Sequence, residues 1–310
     1  IEAVLSQCAG VQDAVVVVRE EQTDNQQLVA YIVAAEADET IQTQHVTTWQ
    51  NLYEESYSQA PAEVELNLNL TGWNSSYTGE PIPEAEMVVW MEDTVAEIRG
   101  LQPQRVLEIG CGTGLLLARL APDCVEYVGA DYSQQALTHV ARLCAADPKF
   151  AHVELMQRMA DDFADLAPAR FDCVILNSVV QYFPSVDYLL RVLAGAVRVV
   201  EPGGKIYVGD VRNYRLLAAY HAAVQLYQSP DEASLTQLQG AIYQRLHAEE
   251  ELLIDPDFFH ALPQHLPQLG HVAVHLKRGH YCNELTQFRY QVILHVADQT
   301  TAPSGLMIAP

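Results

Sequence analysis

The sequence predicts an α/β fold: a mostly parallel sheet with helices on both faces, closed by an antiparallel strand pair. Three observations carry the prediction. Between residues 105 and 210 short apolar runs alternate with helical patterns, the signature of strand–helix–strand units. The first run, Arg105 to Ile109, breaks at Gly110-Cys-Gly-Thr-Gly114 and reopens as the helical Leu115-Leu-Leu-Ala-Arg-Leu120. Near the end, Leu269–Leu276 and Phe288–Val296 alternate as antiparallel strands around a turn-and-loop segment, Lys277 to Leu285. Ligands in such sheets bind beyond the carboxyl ends of the strands. Glu108, Asp131, Asp161, Asn177 and Asp210 all fall at such ends or in the loops just after them.

Composition narrows the function. A 310-residue chain with 49% hydrophobic residues buries a sizeable core. A net charge of −23 repels phosphates over most of the surface and argues against a nucleic-acid substrate. No run approaches the roughly 18 apolar residues of a membrane span, and no signal peptide is evident. Six cysteines, at 8, 111, 124, 144, 173 and 282, lack metal-ligand spacing and read as reduced, mostly buried thiols of a cytoplasmic protein. The histidines show no ligand spacing either, and no metal is expected. The chain opens at Ile1 within a helical pattern and reads as excised from something longer.

In order, residues 1–35 read as a small unit. A helical Ile1–Cys8 stops at Gly10, Val11–Arg19 is a β-branched strand, Glu20–Gln26 a polar turn, and Leu28–Val33 a second strand. A helix and two strands bury no core alone. Residues 36–42 are an acidic linker. Residues 43–100 open with a helical pattern over Thr43–Tyr57 that places Val46, Trp49, Leu52 and Tyr53 on one face. Thr71 to Pro83 follows, a long irregular stretch with aromatics and hydroxyls, read as a lid with a surface linker as the alternative. Glu84–Arg99 is a helix stopped by Gly100. The core, 101–300, then reads strand 105–109, helix 113–120, strand 125–130, helix 133–145, strand 152–156, strand 171–176, helix 186–200, strand 204–210. Helices Tyr214–Tyr227 and Ser234–Glu251 precede the closing strands, and 301–310 is a tail.

The glycine turn brings a ligand against backbone amides, with Gly110, Gly112 and Gly114 removing Cβ atoms and permitting positive φ. Its spacing differs from the dinucleotide G-x-G-x-x-G. It resembles motif I of the class I S-adenosylmethionine (SAM) methyltransferases, with Glu108 and Asp131 at that family's acidic positions, and implies their Rossmann-like fold of seven strands. Under that resemblance, amides of 110–114 meet the methionyl carboxylate and the nearby ribose. Asp131 accepts from both ribose hydroxyls. Tyr132 packs on adenine, and Asp161, within Met159-Ala160-Asp-Asp-Phe163, accepts its amine unless it is a surface charge. Asn177 holds the methionyl amine, and Trp73 and Tyr77 cover the cofactor from the lid.

Four strings go further: residues 72–83 (GWNSSYTGEPIP), 177–189 (NSVVQYFPSVDYL), 209–214 (GDVRNY) and 282–294 (CNELTQFRYQVIL). Together they resemble the methyltransferase domains embedded in nonribosomal peptide synthetases, chiefly N-methylating ones. The last resembles their Asn-Glu-Leu-Ser-x-Tyr-Arg-Tyr motif, with Thr286 for serine and Phe288 for the first tyrosine. Residues 1–34 resemble the start of the small C-terminal subdomain of an adenylation domain, in which such methyltransferases are embedded.

The resemblance implies methyl transfer from SAM, with S-adenosylhomocysteine as product, to the α-amine of an aminoacyl thioester. The thioester hangs on the phosphopantetheine of a peptidyl carrier protein, and the adenylation domain stands in cis, with an MbtH-like helper on its larger part. Candidates near the amine are Glu284, Asp210, Asn283 and Tyr182, with Gln181 lining its approach. Arg212 and Asn213 are assigned to the carbonyl or the pantetheine arm, and His280 and Arg289 to further substrate contacts, a strand ion pair being the alternative for Arg289. The alternative reactions are O- or C-methylation, and an inactive docking insert is the alternative to an enzyme.

Overall fold

A computed structural model describes residues 1–5, 7–8, 11–20, 26–34, 47–49, 54 and 68–298. The chain divides into two compact units, Ile1–Asn51 and Leu52–Pro310. In the first, helix α1 (Glu2–Leu5) precedes an antiparallel pair, β1 (Val11–Glu20) and β2 (Gln26–Ala34). The β-branched run of β1 favours a strand. The Glu2 carboxylate accepts the Val16 N–H at 2.7 Å. Of the side chains described there only Ala14 is buried, while Val15, Val18, Tyr31 and Ile32 are exposed.

The second unit is built on a seven-stranded sheet: β3 (Arg105–Ile109), β4 (Glu126–Asp131), β5 (Val153–Gln157), β6 (Phe171–Asn177), β7 (Val200–Arg212), β8 (Leu269–Leu276) and β9 (Arg289–Val296). Their order is β5-β4-β3-β6-β7-β9-β8, with β3 to β7 parallel and β9 antiparallel to both β7 and β8. Both faces are covered, which is why the central strands read as continuous apolar runs. Leu107, Ile109, Val174, Leu176, Ile206 and Val208 face one core, and Val106, Cys173, Ile175 and Tyr207 face the other.

Helix α2 (Glu84–Gly100) supplies Met87, Trp90, Met91, Val95 and Ile98 to the second core, one stripe at helical spacing. A four-residue helix, α3 (Leu117–Leu120), follows the glycine turn. Helix α4 (Gln134–Ala146) starts at Ser133, whose side chain accepts the Ala136 N–H, and α5 (Val186–Val199) starts at Ser185, which accepts from Tyr188. Between β7 and β8 lie α6 (Leu217–Gln228), α7 (Leu235–His247) and α8 (Pro256–Ala261), and α9 (Glu284–Gln287) precedes β9.

The alternation and the closing pair are as the sequence predicts; several boundaries differ. The helix expected over 113–120 shrinks to α3, because the turn continues to Leu116. β7 begins at Val200, so the expected helix stops one residue earlier, and the strand runs on through Arg212 instead of ending at 210. The helix expected to reach Glu251 ends at His247. Tyr214–Leu216 is a 3-10 turn ahead of α6, α8 falls in a stretch with no predicted element, and α9 begins within the expected loop and runs two residues past it. Of the six thiols, Cys111 and Cys173 are buried, Cys124 and Cys144 half-buried, and Cys8 and Cys282 exposed, so fewer are buried than composition implies. The linker 36–42, the predicted helical positions 46, 52 and 53, and the tail 301–310 lie outside the described residues. Among the described residues no helix is long and apolar enough to cross a membrane.

Candidate active site

The carboxyl ends of β3, β4, β6 and β7 converge on one region. After β3, Gly110, Gly112 and Gly114 all take positive φ (73°, 51° and 82°). At Gly110 the absent Cβ serves packing as well as backbone: a Cβ there would stand 2.3 Å from Val179 Cγ1. The turn is tied to β4 by backbone, since the amides of Gly110 and Cys111 both donate to the Ala130 carbonyl. Asp131 completes it, Oδ2 accepting from Gly112 N and Oδ1 from Ser133 N, each at 2.8 Å. Burial raises the pKa of Asp131, opposed by these backbone donors. The Tyr132 amide adds a third backbone donor, and a carboxylate with four lone-pair sites keeps capacity for one more.

Glu108 is buried and accepts the Tyr127 hydroxyl at 2.8 Å. Burial outweighs that hydrogen bond and pushes its carboxyl up to about 8, so it holds its proton at neutral pH. Tyr132 is half-buried beside Asp131, and its carbonyl accepts from Gln157. Asp161 accepts from the Tyr188 hydroxyl at 2.9 Å and pairs with Arg191 at 3.5 Å, and its neighbour Ala160 packs against the first core.

At the ends of β6 and β7 two non-glycine residues adopt the left-handed region, Ser178 (φ 58°) and Asp210 (φ 61°). Their side chains join, Ser178 Oγ donating to Asp210 Oδ2 at 2.7 Å. Asp210 is fully buried and also receives Trp90 Nε1 (3.1 Å), Lys277 Nζ (3.3 Å) and Arg289 (2.5 Å). Four donors match the four lone-pair sites of a carboxylate. Burial alone would raise its pKa, but Arg289 and Lys277, with the two hydrogen bonds, hold it well below the usual carboxylate range. An acid so held is a fixed anion and a poor proton acceptor. Lys277 is itself shifted down by burial, against the pull of Asp210.

Asn177 and Gln181, beside this clamp, are both buried. Their amides donate to Ser178, but Asn177 Oδ1 and Gln181 Oε1 have no hydrogen-bond donor among the described residues. A buried acceptor left unpaired is costly, so donors from a ligand fit here.

The remaining predicted residues lie farther toward the C-terminal elements. Arg212 gives both terminal nitrogens to Glu249 (2.8 Å each) and shares one with Glu251 (2.6 Å). Asn213 caps the turn at Tyr214. Glu284 Oε1 accepts the amide and hydroxyl of Ser76 (2.9 Å each), and Oε2 accepts Ser75 Oγ at 3.3 Å, so this carboxylate holds the irregular segment 71–83. Asn283 caps α9 and donates to Glu86. Trp73 packs on Trp90 with the rings tilted (centroids 4.6 Å), and Tyr77 meets Tyr227 edge-on at 5.5 Å. His280 is exposed. Burial raises the pKa of Tyr220, which also feels Ser76, Arg212, Glu284 and Glu251, so it stands among all four; Arg212 lies over its ring at 5.0 Å. Tyr182 lies within electrostatic reach of both Arg289 and Tyr132.

Sequence reading missed Trp90, Lys277, Tyr220, Glu249 and Glu251. It also missed Glu54, which accepts the Gln134 N–H, and Asn69, whose carbonyl accepts from Thr113. The Glu249-Glu-Glu251 run was visible as charge, but nothing local ties it to Arg212, 37 residues earlier in the chain.

The fold is that of class I SAM methyltransferases. Residues 107–206 match the family model described as a methyltransferase domain. Among solved structures, the geranyl diphosphate C-methyltransferase of Streptomyces coelicolor, in complex with S-adenosyl-L-homocysteine, superposes with a TM-score of 0.51 at 11% identity, over 81% of this chain and 97% of that one. The magnesium protoporphyrin IX methyltransferase of Synechocystis, with bound SAM, gives 0.51 at 12% identity, over 86% and 100%. At such identities the likeness is one of fold.

Sequence relatives are closer. A chondramide synthase of Chondromyces crocatus is 45% identical over 305 residues, covering 96% of this chain and 8% of the relative. A beauvericin nonribosomal cyclodepsipeptide synthetase of Beauveria bassiana is 35% identical over 311 residues, 97% and 10%. The chain therefore spans about a tenth or less of these relatives. It is a SAM-dependent methyltransferase of the kind that occurs within nonribosomal peptide synthetases. Its cofactor is SAM. The residues present fit that group: a positive-φ glycine turn, a buried carboxylate with spare acceptor capacity, and the orphaned oxygen of Asn177.

Proposed function

We propose that this chain N-methylates the α-amine of an aminoacyl group tethered to a carrier protein during nonribosomal peptide synthesis. The observation that carries the reading is the 45% identity to a synthetase over nearly the whole chain. The adenylation domain in cis and the carrier protein are the partners that this reading requires, and an MbtH-like helper belongs with the former.

SAM, when bound, supplies an electrophilic methyl group. The glycine turn and Asp131 hold its ribose and amino-acid end, Tyr132, Ala160 and Asp161 border the base, and Asn177 receives the methionyl ammonium. An α-amine has a pKa of about 7.7–8.0, so it is partly neutral near pH 7 and only one proton has to be taken from the rest. Positioning its lone pair is the larger task. Asp210 serves as the anchor of that end of the site, setting Ser178, Lys277 and Arg289 in place. Glu284 fastens the lid segment over the acceptor, and Asn283 holds the short helix that carries it against α2, with Tyr77, Tyr220 and Tyr182 as the walls. Arg212 acts through the two glutamates it binds.

The test is mass spectrometry of a panel of aminoacyl-pantetheine thioesters incubated with the chain and SAM. One added methyl with an N-methyl immonium fragment is expected. Methyl on oxygen or carbon would move the reaction to the hydroxyl or carbon acceptors, and absence of SAM binding by calorimetry would leave a docking insert.

A further inference from the structure

Four carboxylates border the acceptor end, and three are committed. Asp210 has four donors and no exposed surface. Glu284 is buried and holds Ser75 and Ser76. Glu249, with its side chain 13% exposed, receives both terminal nitrogens of Arg212 and faces His221 at 3.1 Å. Glu251 differs. Its side chain is 27% exposed, and among the described residues the one hydrogen bond that its carboxylate receives comes from Arg212, to Oε2.

Its position is set from the site itself. The next residue, Leu252, donates its N–H to the backbone carbonyl of Gln181 at 2.8 Å. Gln181 is the buried residue whose Oε1 lacks a donor. Arg289 and Tyr220 both lie within electrostatic reach of Glu251. An unfilled carboxylate oxygen and an orphaned amide oxygen thus stand on adjoining segments, and both ask for N–H donors. A primary ammonium has three.

Building on the reading above, we propose that Glu251, with Gln181 Oε1, binds the α-ammonium of the tethered aminoacyl group and takes its proton. The ammonium passes one N–H proton to Glu251, which leaves the nitrogen with its lone pair. That pair forms the new N–C bond while the S–CH3 bond breaks and its electrons go to sulfur. The product leaves as the N-methyl ammonium, and Glu251 returns its proton to water at its exposed edge. Arg212 keeps Glu251 in place without filling it.

Calorimetry tests this without turnover. The probes are L-alanyl, L-valyl and L-phenylalanyl pantetheine amides and their N-acetyl counterparts, titrated into the chain saturated with S-adenosylhomocysteine. The wild type is expected to prefer the free amine by about tenfold or more, as for one charge-assisted hydrogen bond. Glu251→Gln is expected to bring the pair within about threefold while S-adenosylhomocysteine binding, which reports folding, persists. A wild type that binds both probes equally overturns the proposal whether or not the variant folds. So does a discrimination that survives Glu251→Gln, or one that Glu284→Gln abolishes in its place. Binding of S-adenosylhomocysteine with no binding of either probe sinks the carrier-tethered substrate itself.

Discussion

The cofactor end and the acceptor end of this site are built by different physics. Around Gly110–Gly114 and Asp131 the contacts are backbone amides meeting a carbonyl and a carboxylate, all within 20 or so residues of chain. Around Asp210 they are side-chain charges and hydrogen bonds from Trp90, Ser178, Lys277 and Arg289, delivered by four separate segments. The first is set by local turn chemistry. The second exists only once α2, β7, β8 and β9 have packed, and its buried charges make it the more fragile.

That contrast sets the size of the expected effects. Asp210→Ala leaves Lys277 and Arg289 buried without their anion and is expected to cost about 3–5 kcal/mol in urea unfolding. A smaller loss would mean that water or rearrangement relieves the pair. At the other end, Asp131→Asn keeps one acceptor but turns a donor toward the second amide. Calorimetry should show S-adenosylhomocysteine bound at least about tenfold more weakly, with much smaller loss of stability than at Asp210.

Gly110→Ala places a methyl against Val179 in a left-handed backbone, an overpacking expected to cost about 1–3 kcal/mol. If a paired Val179→Ala recovers most of the loss, sterics dominate; if not, the φ requirement does. The smallest effect is one of pH. Glu108 titrates near 8 when folded and near its ordinary value when unfolded, so the folded state holds the extra proton between them. Wild-type stability should therefore fall as pH rises from about 4.5 toward 8, and Glu108→Gln should flatten that slope. If wild type and Glu108→Gln lose the same unfolding free energy between pH 5 and pH 8 in urea titrations, Glu108 is not protonated in the fold.

Much of the cofactor end was legible. The strand–glycine–strand spacing that carries Gly110 and Asp131 is short-range, and the turn needs the positive φ that glycine allows. Even there the reason for Gly110 was only half visible, because Val179, which fills its missing Cβ, comes 69 residues later. Of the acceptor end the sequence marked Asp210, Glu284 and Arg289 as candidates without saying that one is a buried anchor and another a lid clasp. Lys277 and Tyr220 carried no motif, and Glu251 marked only the end of a predicted helix.

By itself the sequence determined the sheet, its closing antiparallel pair and the turn that meets the cofactor, because apolar periodicity and turn residues act over a few neighbours. Which carboxylates are spent on structure and which stay open was decided only in the tertiary structure. Burial and the donors that reach a side chain from distant segments set its charge and its availability, and neither is a property of the residue's place in the chain.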